Sequence, residues 1–204
     1  MYNFDFDIIC KSDKCSVTLN KSFADGILFV DVNMKQDETA VPEQFSVKWT
    51  IDASDCCGVW NSFVRNHTIR PDWGNVEAVS RLASGMPIQQ ITAFDGNNKI
   101  CVSLSDVDTP TEITMGYCEE TAEVICEAVF FTLPTNAVDS YCSKIRIDMR
   151  SIPFYDSIYD TVEWWENECG YKSAFVPDSA RMPMDSLWYS FHQNLKAEEI
   201  LEEC

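Results

Sequence analysis

The 204-residue chain carries 15 Lys and Arg against 33 Asp and Glu, a formal charge of −18, and is 46% hydrophobic. The apolar fraction fits a globular chain with one good core, or one domain and the start of another. The charge repels phosphate backbones and anionic headgroups alike, which discounts nucleic-acid and membrane-surface partners; a neutral sugar meets no such barrier.

The start, Met1-Tyr2-Asn3-Phe4-Asp5-Phe6-Asp7, lacks a basic stretch followed by an apolar core, and no run has the length of a membrane span. The chain therefore reads as cytoplasmic. In that setting the ten cysteines read as reduced, mostly buried small hydrophobes; they contain no C-x-x-C, and no zinc site is expected. Asn20-Lys21-Ser22 and Asn66-His67-Thr68 match a glycosylation pattern that matters only in a secreted chain.

From residue 4 to about 150 the dominant period is two. A continuously apolar strand is expected at Ile27 to Val32. Alternation then places Phe45, Val47, Trp49 and Ile51 on one face, followed by Ile100, Val102 and Leu104, by Ala122, Val124, Cys126, Ala128 and Phe130, and by Ile145, Ile147 and Met149. Between them Asp95-Gly96-Asn97-Asn98 reads as a hairpin and Asp106 to Pro110 as a turn. Many antiparallel strands without a long helix predict a sandwich. After Pro153, Ile158, Val162 and Trp165, with Tyr159 beside them, recur at helical spacing; Asp156 can cap the start and Gly170 suits the stop. Residues 171 to 184, with Pro177 and Pro183, read as a linker.

Ser186 to Phe191 reads as a short aromatic strand, and Asn194 can cap a helix striped by Ala197, Ile200, Leu201 and Cys204. A parallel βα unit needs a second strand to close its crossover, so this segment is expected to be a truncated piece of a larger domain.

Trp188-Tyr189-Ser190-Phe191-His192-Gln193-Asn194-Leu195, followed by an acidic helix, resembles the opening strand and helix of the (β/α)8 barrel in bacterial α-galactosidases of glycoside hydrolase family 36. Upstream, Arg70-Pro71-Asp72-Trp73, Ser80 to Gly85, Leu104-Ser105-Asp106, Cys118 to Glu123 and Val162-Glu163-Trp164-Trp165-Glu166 resemble the N-terminal sandwich of the same enzymes, in the same order. The first fifty or so residues match only in character, and Met184 to Leu187 departs from the Tyr/Ser/Thr-rich approach to the Trp. The resemblance implies a mainly β chain: an antiparallel β-sandwich of the supersandwich kind over 1–150, a connecting helix and linker over 151–184, and the first βα unit of a truncated barrel over 185–204. It implies a melibiase-like parent, hydrolysing terminal α-galactosides from oligosaccharides with retention and without metal or organic cofactor. The catalytic Asp pair would lie beyond Cys204, since a barrel takes roughly 250 residues, and this fragment alone would be inactive.

Three residues fall on the rim where barrel enzymes build their sites: Trp188, Tyr189 and His192, able to stack on a sugar face and donate to its hydroxyls. A second set, Arg70, Asp72 and Trp73, sits in a weakly periodic segment that could reach the active site of its own or a neighbouring subunit, the latter making the parent a homo-oligomer. Against these stand barrel filling for Trp188, helix entry for His192 and an ordered loop for Trp73. Carboxylate pairs such as Asp106/Asp108, Glu119/Glu120 and Asp156/Asp160 are expected by chance among 33 acids, and Trp164-Trp165 reads as core. The rival reading is a self-sufficient carbohydrate-binding or assembly module. The residues present do not separate α-galactosidase from α-N-acetylgalactosaminidase.

Overall fold

The computed structural model describes residues 4–62, 75–80, 85–182, 196–198 and 201. Two compact units divide the chain at Tyr171. In the first, β1 (Asp7–Cys10), β4 (Phe45–Asp52), β6 (Asn75–Ser80), β9 (Thr111–Cys118) and β10 (Glu123–Phe130) form a sheet in the order β1-β4-β10-β9-β6. β2 (Cys15–Ala24), β3 (Ile27–Ala40), β5 (Gly58–Asn61), β7 (Ile88–Thr92), β8 (Asn98–Leu104) and β11 (Val138–Asp148) form another in the order β2-β3-β11-β8-β7-β5. Every strand pairing is antiparallel. The chain is thus mainly β with two antiparallel sheets, as period-two patterning predicts.

Alternation decides which side chains are inside. Phe45, Val47 and Trp49 of β4 are buried and Ile51 packs partly buried against the same core, so the four share one face as expected. Across β10, Val124, Cys126, Ala128 and Phe130 do the same, and Phe45 stacks on Phe130 with ring centroids 4.9 Å apart. The facing sheet supplies Leu28, Val30, Val32 and Met34 from β3, Ile100, Val102 and Leu104 from β8, and Ile145 and Ile147 from β11. Each large apolar side chain withdrawn from water contributes roughly 1.5–3 kcal/mol.

Two turns fix the hairpins. Asp25 and Gly26 both have positive φ, 51° and 83°, and join β2 to β3 with Ala24 opposite Ile27, a two-residue turn whose twist matches its strands. Gly96, φ 84°, turns β7 into β8 at the predicted hairpin. Three strand boundaries differ from expectation: β3 runs on past Val32 to Ala40, Met149 lies just beyond the end of β11, and Ala122 has φ 55° and lies in the turn before β10, its carbonyl accepting from the Ala53 amide.

The helix α1 (Phe154–Asn167) packs on the outer face of the six-stranded sheet. Its N-cap is Pro153, with Asp156 in the first turn rather than at the cap; Gly170, φ 80°, follows the C-cap and lets the Tyr171 amide bond to the Trp165 carbonyl. The buried residues are Ser157, Thr161, Trp164 and Trp165, while Ile158 and Val162 are half-buried and Tyr159 is exposed. The predicted apolar stripe is therefore rotated. The cause is the surface it meets, where the buried Gln90 donates to the Ser157 hydroxyl and the buried Arg146 to that of Thr161.

Of the nine described cysteines only Cys101 and Cys126 are buried; Cys57 and Cys142 are exposed and the rest intermediate, which corrects the expectation of a mostly buried set. All nine are free thiols. In the second unit, Lys172–Cys204, the described residues include a 3-10 turn at Asp178–Arg181. The expected barrel strand at Ser186 to Phe191 lies outside the described residues, and no part of a barrel is evident among those described. No helix among them is long and apolar enough to cross a membrane.

Candidate functional site

All six sequence-predicted sugar contacts, Arg70, Asp72, Trp73, Trp188, Tyr189 and His192, lie outside the described residues, as does His67. The Leu104-Ser105-Asp106 and Val162 to Glu166 segments are described. They meet: the Trp165 indole donates to the Leu104 carbonyl at 2.8 Å across 61 positions of sequence. Trp164 and Trp165, 6% and 5% exposed, are core residues as read from the sequence.

The acid pairs separate by role. Asp106 closes its turn by accepting from the Asp108 and Thr109 amides at 2.9 and 3.0 Å. Asp160 faces a different cluster, one that sequence reading did not single out. Arg146, Asp148 and Arg150 stand at alternate positions along β11 and just past it, on the face opposite the main core. Asp148 is completely buried and accepts from Arg146 at 3.2 Å and from Arg150 at 2.6 and 2.9 Å, with the Arg150 amide adding a fourth bond at 3.1 Å. Arg150 also reaches Asp160 of α1 at 2.5 Å, and Arg146 reaches the Thr161 hydroxyl at 2.9 Å. Hydrogen bonds from Asp148 foremost, outweighing desolvation, raise the Arg150 guanidinium above its ordinary pKa. It is a permanent cation here.

Beside this cluster runs a groove of about 550 Å³ between the β2–β3 turn and α1, bordered by Asp25, Phe29, Arg150, Asp160, Glu163 and Trp164. Its chemistry is that of hydrogen-bond donors and acceptors, with Arg150 donating and the carboxylates accepting. The Trp164 ring is turned inward against Phe29, centroids 6.1 Å apart, and offers no stacking platform. The buried charges are each engaged with one another, so the cluster fastens α1 to the sheet and leaves no free acid–base couple within it. Nearby, Gln90 donates to Asn98 at 3.0 Å, to the Phe154 carbonyl at 2.9 Å and to Ser157 at 2.5 Å, extending the same seam. No grouping of His, Cys, Asp and Glu suited to a metal ion occurs among the described residues.

No family model matches the sequence, and no curated protein matches it. Among solved structures, the chain is similar to an Escherichia coli K12 protein provisionally assigned as an aldose 1-epimerase, at 10% identity and a TM-score of 0.44 over 72% of this chain and 69% of that one.

Proposed function

We propose that this chain is the N-terminal sandwich of a retaining glycoside hydrolase that removes terminal α-galactosides from oligosaccharides, and that it supplies no catalytic carboxylate itself. One observation carries the reading: two of the segments that resemble the family, Leu104-Ser105-Asp106 and Val162 to Glu166, adjoin through the Trp165–Leu104 bond. A shared motif order is meaningful when the motifs build one piece of structure. The described acids support the second half, since Asp148 and Asp160 are held by arginines and Asp106 by its own turn. Retention requires two carboxyl groups about 5 Å apart across the scissile bond, on opposite walls of a formed barrel. The oligosaccharide would thus be cleaved by a barrel that this sandwich accompanies, with Trp188, Tyr189 and His192 on its rim and Arg70, Asp72 and Trp73 reaching toward it.

The test is release of p-nitrophenol from p-nitrophenyl α-galactoside, measured for residues 1–204 and for the product of the complete reading frame. Residues 1–204 should give no turnover and the complete product should give it. Turnover that co-purifies with residues 1–204, or a complete product inert on α-galactosides, would sink the proposal.

A further inference from the structure

Three rows of side chains run along α1 at helical spacing. Ser157, Thr161 and Trp164 face the sheet and are buried, with Trp165 beside them. On the flank beyond Trp165, Tyr155, Ile158, Tyr159 and Val162 fall at i, i+3, i+4 and i+7. On the flank beyond Trp164, Asp156, Asp160 and Glu163 fall at i, i+4 and i+7, and the two flanks meet on the solvent side where Tyr159 neighbours Glu163. Tyr155 and Tyr159 are 56% and 68% exposed, while Ile158 and Val162 are half-buried against the same cluster as Trp60 and Met86. The Phe154 ring stands edge-on to Tyr155, centroids 5.7 Å apart, and steadies it. A helix that has seated one face on a sheet ordinarily turns a polar face outward; α1 turns out a second apolar row.

We infer that this flank of α1 docks an amphipathic, positively charged helix of a partner protein, which lays its apolar row over Tyr155, Ile158, Tyr159 and Val162 and its Lys or Arg side chains against the acids alongside. Neither the surface nor its partner depends on the galactoside proposal. Spacing selects a helix, because anchors at i, i+3, i+4 and i+7 form the ridges between which a second helix packs. Tyrosine suits the role, offering a large contact area for little lost rotamer freedom. Charge selects the sign. The 14 residues of α1 hold Asp156, Asp160, Glu163 and Glu166 and no Lys or Arg, the last turn included. Carboxylates toward the carbonyl end of a helix oppose its dipole, a mismatch that a cation supplied from outside relieves. Asp160 is committed to Arg150, whereas Asp156 and Glu163 are exposed beside the tyrosines. A second copy would bring its own −18 and the same acids to this row, so like charge disfavours self-association here, and it disfavours anionic lipid and nucleic acid in the same way.

The probe is a labelled synthetic helical peptide of about four turns, built of Leu and Lys alone in amphipathic pattern. A Leu/Glu peptide of the same pattern and a Lys peptide without Leu are its controls. Titrated with residues 1–204 and followed by fluorescence anisotropy, the Leu/Lys peptide should bind to saturation, the Leu/Glu peptide should not bind, and the Lys peptide should bind at least about tenfold more weakly. Tyr155→Ser combined with Tyr159→Ser leaves every charge in place and should weaken the Leu/Lys peptide at least about tenfold. Glu163→Lys should weaken it too and lower its salt dependence. In the wild-type chain, tetranitromethane should nitrate Tyr155 and Tyr159 when free and much less with the Leu/Lys peptide bound, while the exposed Tyr117 is nitrated to the same extent in both. Should the double variant fail to fold, this footprint decides. No binding of the Leu/Lys peptide, equal affinity for the wild-type chain and the double variant, or nitration of Tyr155 and Tyr159 unchanged by the peptide would each overturn the inference. So would dimerisation of the wild-type chain that the double variant abolishes, which would give the face to a second copy.

Discussion

Replacing Asp148 by Asn removes the negative charge on which two arginines converge. Asp148 is 0% exposed and Arg146 2%, so neither can recover solvation, and the new amide would point a donor at guanidinium donors. Arg150 keeps Asp160, but Arg146 keeps only the neutral Thr161 hydroxyl. Breaking a buried pair by removing one partner costs about 3–5 kcal/mol. For a domain of this size that lowers the melting midpoint by on the order of 10 °C. Asp160→Asn is the internal comparison: its pairing with Arg150 joins side chains 38% and 27% exposed, and solvent-screened pairs contribute about 0.2–1 kcal/mol. Urea unfolding followed by tryptophan fluorescence suits the question, since Trp164 and Trp165 lie on the helix the cluster fastens. Adding Arg146→Met to Asp148→Asn should recover part of the loss, because the stranded cation is gone. Equal losses for Asp148→Asn and Asp160→Asn, or no recovery in the double variant, would refute the account of Asp148 as the buried hub.

Burial pushes the Cys101 thiol from 9.0 up to about 11, so the folded form holds a proton that the unfolded chain releases sooner. This stabilisation is complete below about pH 9 and is lost as pH rises through about 11; it amounts to about 3 kcal/mol, and Cys101→Ala should flatten the alkaline limb of a melting-midpoint titration. Gly26→Ala should destabilise by at least about 1–2 kcal/mol in thermal unfolding, since φ is 83° and the new Cβ would sit 2.7 Å from Cγ of Arg150. Trp165→Phe keeps the ring in the core but strands the Leu104 carbonyl, a loss of about 1–3 kcal/mol visible in the urea midpoint.

The strands were legible because a sandwich interior imposes period two, and Phe45 to Ile51 or Val124 to Phe130 cannot satisfy another register without turning the core outward. The turn at Asp25-Gly26 was equally readable, being an Asp-Gly pair between strands, although the sequence reading passed over it. Ala122 was misplaced because a turn residue that continues the alternation looks like strand; nothing in its identity announces φ 55°. The helix was found by its period but its buried face was assigned by hydrophobicity. That rule fails when the opposing surface is polar, as beside Gln90 and Arg146, and the complementarity is invisible until sheet and helix are assembled.

The charged cluster shows the same limit. Along β11 the residues between Ile145, Ile147 and Met149 are charged, and alternation distinguishes two faces but not whether the second is wet. Coverage by α1 converts Arg146 and Asp148 from surface charges into buried ones that must be paired. This obligation runs in both directions. Asp148 can be buried only because Arg146 and Arg150 accompany it, and Arg150 is oriented toward Asp160 only because α1 lies on this face. The helix is thus held by an interaction that is costly to break partway. Loosening α1 would leave Arg146 and Asp148 either rehydrated together or stranded, so detachment should be cooperative with unfolding of the sheet beneath it. An acidic chain with 33 carboxylates spends few of them inside; the one at residue 148 is distinguished by what surrounds it, which no count of charges could have revealed.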